Sequence, residues 1–138
     1  MINFSYKDID APEYRLRLPP SVNNCYTVSR GRKVKSSDCR AWRNEAAILL
    51  VLESAASYVY KNIVIEKPTR GKLGIAHHFV FKDKRRRDSS NFIKQLHDAI
   101  VDAGLIVDDS QFHLEITSKE IDKSAAENYV LFKIWGME

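Results

Sequence analysis

The stretch from Leu73 to Gln111 restricts the fold of this chain most, because its periodicity passes from that of a strand to that of a helix and ends in a short apolar run. Leu73, Ile75, Phe79 and Phe81 alternate with Gly74, Ala76, His78 and Val80, the two-residue repeat of a strand. His77 and His78 are adjacent and point to opposite faces, so this strand cannot supply a simple two-histidine metal clamp. At its exit, five of the six residues from Lys82 to Arg87 are cationic, with Asp83 alone against them. So dense a run suits a polyanion. The sign then reverses at Asp88. Ser89 and Ser90 are N-cap candidates, and Phe92, Leu96, Ala99, Ile100 and Ala103 recur at helical spacing, which leaves Asn91, Lys94, Gln95, Asp98 and Asp102 on the polar side. Gly104 stops the helix, and Leu105, Ile106 and Val107 lead to Asp108 and Asp109.

Acids therefore bracket one helix, and at about 1.5 Å per residue they lie roughly 20 Å apart unless the chain folds back. Brought together beside a cationic groove, Asp88 and Asp109 could share a hard divalent cation, as metal-assisted phosphodiester hydrolysis requires. Each also has an ordinary explanation. Asp88 suits a helix cap, Lys94 suits an ion pair with Asp98 one turn on, and Asp108 and Asp109 suit a turn.

The run KRRRDSSNFIKQLHDAIVDAGLIVDDSQ resembles the signature of the RusA-type Holliday junction resolvases: a basic run, Asp-x-Asp-Asn-x-x-Lys, a helix ending in Gly, and Asp-Asp-x-Gln. Upstream, Leu18-Pro19-Pro20-Ser21-Val22-Asn23-Asn24-Cys25-Tyr26 is similar to the family's Pro-Pro-Ser-x-Asn-x-x-Tyr, in the expected order. The resemblance covers the chain from about Leu16 onward. It implies a Mg2+-dependent endonuclease, with Mn2+ as a substitute ion, that acts on four-way junctions as a homodimer. Asp88 and Asp109 fall on the family's metal carboxylates, with Asp108 as the neighbouring candidate, and Lys94 falls on its active-site lysine. Ser90 stands where the family has its second Asp, and it has no charge to give a metal at neutral pH. The family occurs in phages and prophages, which suggests a phage-related origin.

The rest of the chain reads as scaffold for that segment. Residues 1–12 form an amino-terminal extension that either adds an edge strand or frays. Tyr14 to Leu18 alternates as a half-buried strand with its arginines outward, ended by Pro19 and Pro20. Ser21 to Lys35 reads as a loop. Arg30, Arg32 and Lys33 near its tip, with Asn23 and Asn24 before it, are candidate phosphate contacts alongside Lys84, Arg85, Arg86 and Arg87. A long helix starts at Ser36 or Ser37 and runs to about Tyr60, with Trp42, Ala46, Leu49, Leu50, Ala56 and Val59 as its apolar stripe. After a short run from Ile63 to Ile65, residues 67–71 form a turn. Phe112 to Ile121 and Tyr129 to Trp135 read as the last two strands.

At 138 residues the chain has the size of one domain, and 44% hydrophobic with 29% charged residues excludes wholesale disorder. The net charge of +4 is only mildly basic, so local clustering carries the case for nucleic acid. The apolar stretch around Ala46 to Leu52 is too short to span a membrane, and the amino terminus lacks a signal-peptide pattern, which together suggest a cytoplasmic protein. Cys25 and Cys39 form neither a metal-ligand spacing nor a disulfide framework and are expected to be free thiols in a reducing compartment. The expected fold class is α+β, a single domain with a mixed β-sheet and helices packed on one face. Two functions compete. One is a structure-specific endonuclease; the other is a branched-DNA-binding protein whose cleavage is weak or lost because of Ser90. A generic RNA-binding domain is a third class, but no RNA-recognition aromatic motif supports it.

Overall fold

The computed structural model describes residues 5–21, 25–60 and 70–137. In chain order its elements are β1 (Glu13–Arg17), β2 (Tyr26–Ser29), β3 (Arg32–Lys35), α1 (Ser37–Tyr60), β4 (Leu73–Phe81), α2 (Ser90–Asp102), β5 (Phe112–Ile121) and β6 (Tyr129–Gly136). They divide between two compact units. The fold class is α+β, with a mixed four-stranded sheet and two long helices.

The first unit comprises Met1–Leu18, Arg70–Arg86 and Ser110–Glu138. Its sheet has the order β1-β6-β4-β5, antiparallel except for the β4–β5 pair. A parallel pair cannot be joined by a tight turn, so the chain must cross over between the two strands, and α2 lies in that crossover. β4 is hydrogen-bonded on both edges and buried along nearly its whole length. Gly74 lies opposite Trp135, and a Cβ there would collide with the indole. This close approach requires glycine. β1 alternates as expected, with Tyr14 and Leu16 buried between exposed Glu13, Arg15 and Arg17. Tyr14 stacks on Phe132, its partner in register, at 5.1 Å between ring centroids.

The amino-terminal segment is tied down rather than frayed over its described part. Tyr6–Asp8 form a 3-10 turn. The Lys133 ammonium, nearly buried, donates to the carbonyls of Tyr6 and Ile9 at 3.0 Å each and sits 4.4 Å from the centre of the Tyr6 ring. Both carbonyls and the ring face compensate the buried charge. Burial, reinforced by the Glu13 carboxylate, pushes the Tyr6 phenol far above the ordinary tyrosine range.

The second unit comprises Pro19–Thr69 and Arg87–Asp109. In α1 the residues Cys39, Trp42, Ala46 and Leu50 are all buried at helical spacing, whereas Leu49, expected in the same stripe, is exposed. The side chains expected to extend the stripe at positions 56 and 59 lie outside the described residues, as do the run at 63–65 and most of the turn at 67–71. α2 buries Phe92, Leu96, Ala99 and Ile100, and Gly104 ends it with a positive φ of 76°. Gln95, assigned to the polar side by its chemistry, is instead fully buried. It lies against Cys39 of α1, with Oε1 3.8 Å from Sγ, so helix packing overrides the polarity of the residue.

Two further expectations are corrected in this unit. The segment before α1 is a hairpin rather than a loop: β2 and β3 pair antiparallel through a two-residue turn, Arg30-Gly31, whose φ values of 52° and 75° are both positive. Cys25 and Cys39 are also not free thiols but form a disulfide. Their pairing follows from the hairpin. Its return strand brings the Ser36 N–H to within 2.7 Å of the Cys25 carbonyl, and the first turn of α1 then carries Cys39 to the same place.

Candidate nucleic-acid interface

Both sequence motifs leave the sheet at one residue, Asn128. Its side-chain oxygen accepts the Lys82 N–H at 2.9 Å, at the start of the basic run, and its carbonyl accepts the Leu18 N–H at 3.2 Å, immediately before Pro19-Pro20. A single asparagine between β5 and β6 therefore fixes where each motif begins. Nothing in the periodicity of the chain marks it.

Lys82, Lys84, Arg85 and Arg86 are exposed, and Arg87 is partly buried. Asp83 does not neutralise the run. Its carboxylate accepts the Arg85 N–H at 3.0 Å, and its 3.9 Å contact with the Arg85 guanidinium is an exposed ion pair, which contributes little in water. The hairpin carries a second basic group, with Arg30, Arg32 and Lys33 all exposed. The Lys33 ammonium lies 4.6 Å from the centre of the Tyr26 ring, so the tyrosine of the upstream motif orients a cation of the hairpin. Asn23 and Asn24 lie outside the described residues.

At the start of α2 the capping role falls to Asp88. Its Oδ1 accepts the Ser90 N–H at 3.0 Å, whereas Ser89 is buried and makes no side-chain cap bond. The reason is conformational: Ser89 already has helical φ and ψ of −58° and −31°, so its hydroxyl does not point back over the first turn. Ser90 is exposed at the first helical position.

One turn on, the Lys94 ammonium lies 3.7 Å from Asp98, the i, i+4 pair expected from spacing. Asp98 also lies 3.6 Å from Arg43 of α1, and Arg43 Nε donates to Asp102 at 2.9 Å. Arg43 thereby fastens the acidic flank of α2 to α1. Lys94 is 61% exposed and keeps its charge toward solvent.

Beyond Gly104, Leu105 and Ile106 are buried and anchor the return, and Asp108 and Asp109 are exposed. Asp109–Gln111 form a 3-10 turn. The Gln111 amide donates to the Gly71 carbonyl at 2.9 Å and so secures the entry to β5. The structure thus places Asp88 before α2 and Asp108 and Asp109 after it. Among the described residues, no group of three His, Cys, Asp or Glu with ligand atoms mutually within 4.8 Å includes any of these acids. What it does gather is Lys94 with Asp98, Arg43 and Asp102.

Residues 18–130 match the family described as Endodeoxyribonuclease RusA. Over 96 residues, 70% of this chain and 72% of the relative, the sequence is 31% identical to the crossover junction endodeoxyribonuclease RusA of Escherichia coli strain K12. The same figures hold for the proteins of that name from strains O1:K1 / APEC and O6:H1 (CFT073).

Proposed function

Because the chain belongs to the RusA family of endodeoxyribonucleases, we propose that it resolves Holliday junctions and related branched DNA by Mg2+-dependent hydrolysis of phosphodiester bonds. The observation that carries this reading is that the exposed Lys84, Arg85 and Arg86 and the partly buried Arg87 lead along the chain to Asp88, which caps the amino terminus of α2. A helix amino terminus and a guanidinium run both attract phosphate, so a backbone seated there would place a phosphodiester beside Asp88.

Asp88, Asp108 and Asp109 offer exposed, hard carboxylate oxygens, the donor type that Mg2+ takes, and Mn2+ accepts the same set. These residues would hold the ion. Once bound, Mg2+ supplies a water of lowered pKa and an electrophile for the phosphoryl oxygen. The remaining work is done by side chains of this chain. Arg85, Arg86, Arg87 and Lys84 hold the strand, and Arg30, Arg32 and Lys33 with Asn23 and Asn24 hold a second segment of backbone. Lys94 leaves its exposed pair with Asp98 to neutralise charge that develops on the phosphate.

A four-way junction has approximate two-fold symmetry, and two incisions release it, so we assign the active form to a homodimer. No described helix is long and apolar enough to cross a membrane. We place the protein in the cytoplasm, where its DNA substrate is, and treat residues 18–130 of both units as one functional domain because the family match runs through them.

Ser90 favours a second reading, a junction-binding protein with weak or lost cleavage, since a neutral hydroxyl stands where the family supplies a carboxylate. One experiment separates the two: incubation with a synthetic four-way junction in Mg2+, read for nicked arms, beside binding measured in EDTA. Cleavage at symmetric positions supports the enzyme. Tight binding without cleavage in Mg2+ or Mn2+ supports the binder.

A further inference from the structure

We infer that Cys25 and Cys39 form a reversible thiol switch that sets the order of the basic β2–β3 hairpin, and through it the grip on DNA. The consequence for DNA rests on the proposed contact of Arg30, Arg32 and Lys33 with phosphates; the ordering of the hairpin does not.

Three observations carry the inference. First, among the described residues the hairpin is a two-stranded sheet separate from the four-stranded one, paired from Tyr26 with Lys35 to Ser29 with Arg32. An isolated two-stranded hairpin is marginal at best in water. This one also gains little from burial, since Val28 is 79% exposed and Val34 is exposed as well. Its tether to the rest of the unit is therefore decisive, and the disulfide ties the residue just before its first strand to the first turn of α1 across a separation of 14 residues.

Second, the bond joins the base of a short hairpin to the first turn of a 24-residue helix. The hairpin base is closed by the Ser36 N–H bond to the Cys25 carbonyl, whereas Cys39 lies in the long helix with its N–H held at 3.3 Å by the Ser36 hydroxyl. Both cysteines are fully buried, so a reductant reaches them when the hairpin base opens locally. In the compartment proposed for this protein, small thiols keep cysteines reduced, and the disulfides that do form there are the ones that open and close.

Third, the surroundings favour the reduced state. Gln95 is fully buried, its Nε2 has no hydrogen-bond partner among the described residues, and its Oε1 lies 3.8 Å from Cys39 Sγ. A disulfide sulfur has no proton to donate to that oxygen. A Cys39 thiol does, and its sulfur accepts weakly as well. A buried amide poorly matched to the disulfide and better matched to the thiol supplies the differential interaction that a two-state device needs.

The chemistry is thiol–disulfide exchange with a small dithiol. A reductant thiolate attacks one sulfur, the Cys25–Cys39 bond breaks, and a mixed disulfide forms. The reductant's second thiol then displaces the protein sulfur. Two reductant thiols end as one disulfide, and Cys25 and Cys39 each take a proton.

The test compares the full chain oxidised by glutathione disulfide with the same chain reduced by dithiothreitol, thiols being counted by maleimide mass shift. Reduction is expected to speed amide exchange of the hairpin, residues 26–35, by at least about tenfold while α1 and α2 stay protected. It should weaken junction binding by about tenfold through the ordering cost restored to the basic tip, reversibly on reoxidation. Cys25→Ser with Cys39→Ser should match the reduced protein under both conditions. Gln95→Leu should shift the redox midpoint toward the disulfide by about fivefold, the worth of one net hydrogen bond. The inference is overturned if no disulfide forms, if hairpin exchange is the same in both states, or if reduction unfolds the helices together with the hairpin. Redox-sensitive exchange in a protein that binds no junction in either state would leave the switch standing and reject the functional reading.

Discussion

Asp88 combines two roles that substitution can separate. Its carboxylate caps α2 through the Ser90 N–H at 3.0 Å, and by the proposed function it also supplies charge to a metal. Asparagine caps as well as aspartate, so Asp88→Asn keeps the hydrogen bond and removes only the charge. Alanine removes both. Because Asp88 is exposed and water partly replaces a lost cap, the structural cost of Asp88→Ala belongs near the middle of the usual range, about 1 kcal/mol. For a domain of this size that is a fall of about 3–6 °C in Tm. Asp88→Asn should melt within about 1 °C of the natural protein, since its cap is intact. Junction cleavage in Mg2+ should fall by at least about 100-fold in both variants. Thermal unfolding followed by circular dichroism and single-turnover cleavage of a labelled four-way junction read the two quantities separately. Unchanged cleavage by Asp88→Asn would remove Asp88 from the chemistry, and an unchanged Tm for Asp88→Ala would remove it from the cap.

Replacing Arg85, Arg86 and Arg87 together by alanine should weaken junction binding and reduce the slope of log affinity against log salt by roughly 2–3, as expected for that many lost phosphate contacts; an unchanged slope would place the DNA elsewhere. Ser90→Asp should speed Mg2+-dependent cleavage and reduce any preference for Mn2+ at little cost in stability, which a metal titration of rate and a melting curve would check. Gly74→Val should destabilise the sheet by about 2 kcal/mol or more, because its side chain collides with Trp135, and urea unfolding measures that directly. The Asp122 carboxylate, held below the ordinary aspartate range by the Ser124 hydroxyl and N–H, should order the β5–β6 turn at neutral pH. That contribution is present above the unfolded pKa and is lost as pH falls through the lowered folded value, so a pH-independent Ser124 amide shift in NMR would contradict it.

The parts of this fold legible in the sequence are those where one local period decides the structure. Leu73–Phe81 and Ser90–Asp102 carry strong two-residue and helical repeats, and both fall where those repeats place them. The start of α1 at Ser37 and the left-handed Gly104 follow from capping rules. The hairpin is not legible because its strands are only four residues long, expose Val28 and Val34 and are joined by Arg30-Gly31, where arginine rather than asparagine or aspartate takes the first left-handed position. Without the hairpin, the spacing of Cys25 and Cys39 does not bring them together. The disulfide was illegible for the same reason as the turn.

The candidate site shows the same division. Charge density alone found the basic run, and helical spacing alone paired Lys94 with Asp98. Asn128, which fixes where both motifs leave the sheet, acts through one backbone and one side-chain oxygen in an irregular connection, and no period reports on that. Gln95 is the more instructive case. Its chemistry assigns it to the polar side of α2, yet it is fully buried and its Nε2 has no partner among the described residues. Leucine at this position would fill the space without stranding an amide, and helix propensity would not oppose the exchange. A residue that costs stability in the oxidised protein and gains a hydrogen-bond donor when Cys39 becomes a thiol is therefore better accounted for by the reduced state than by packing.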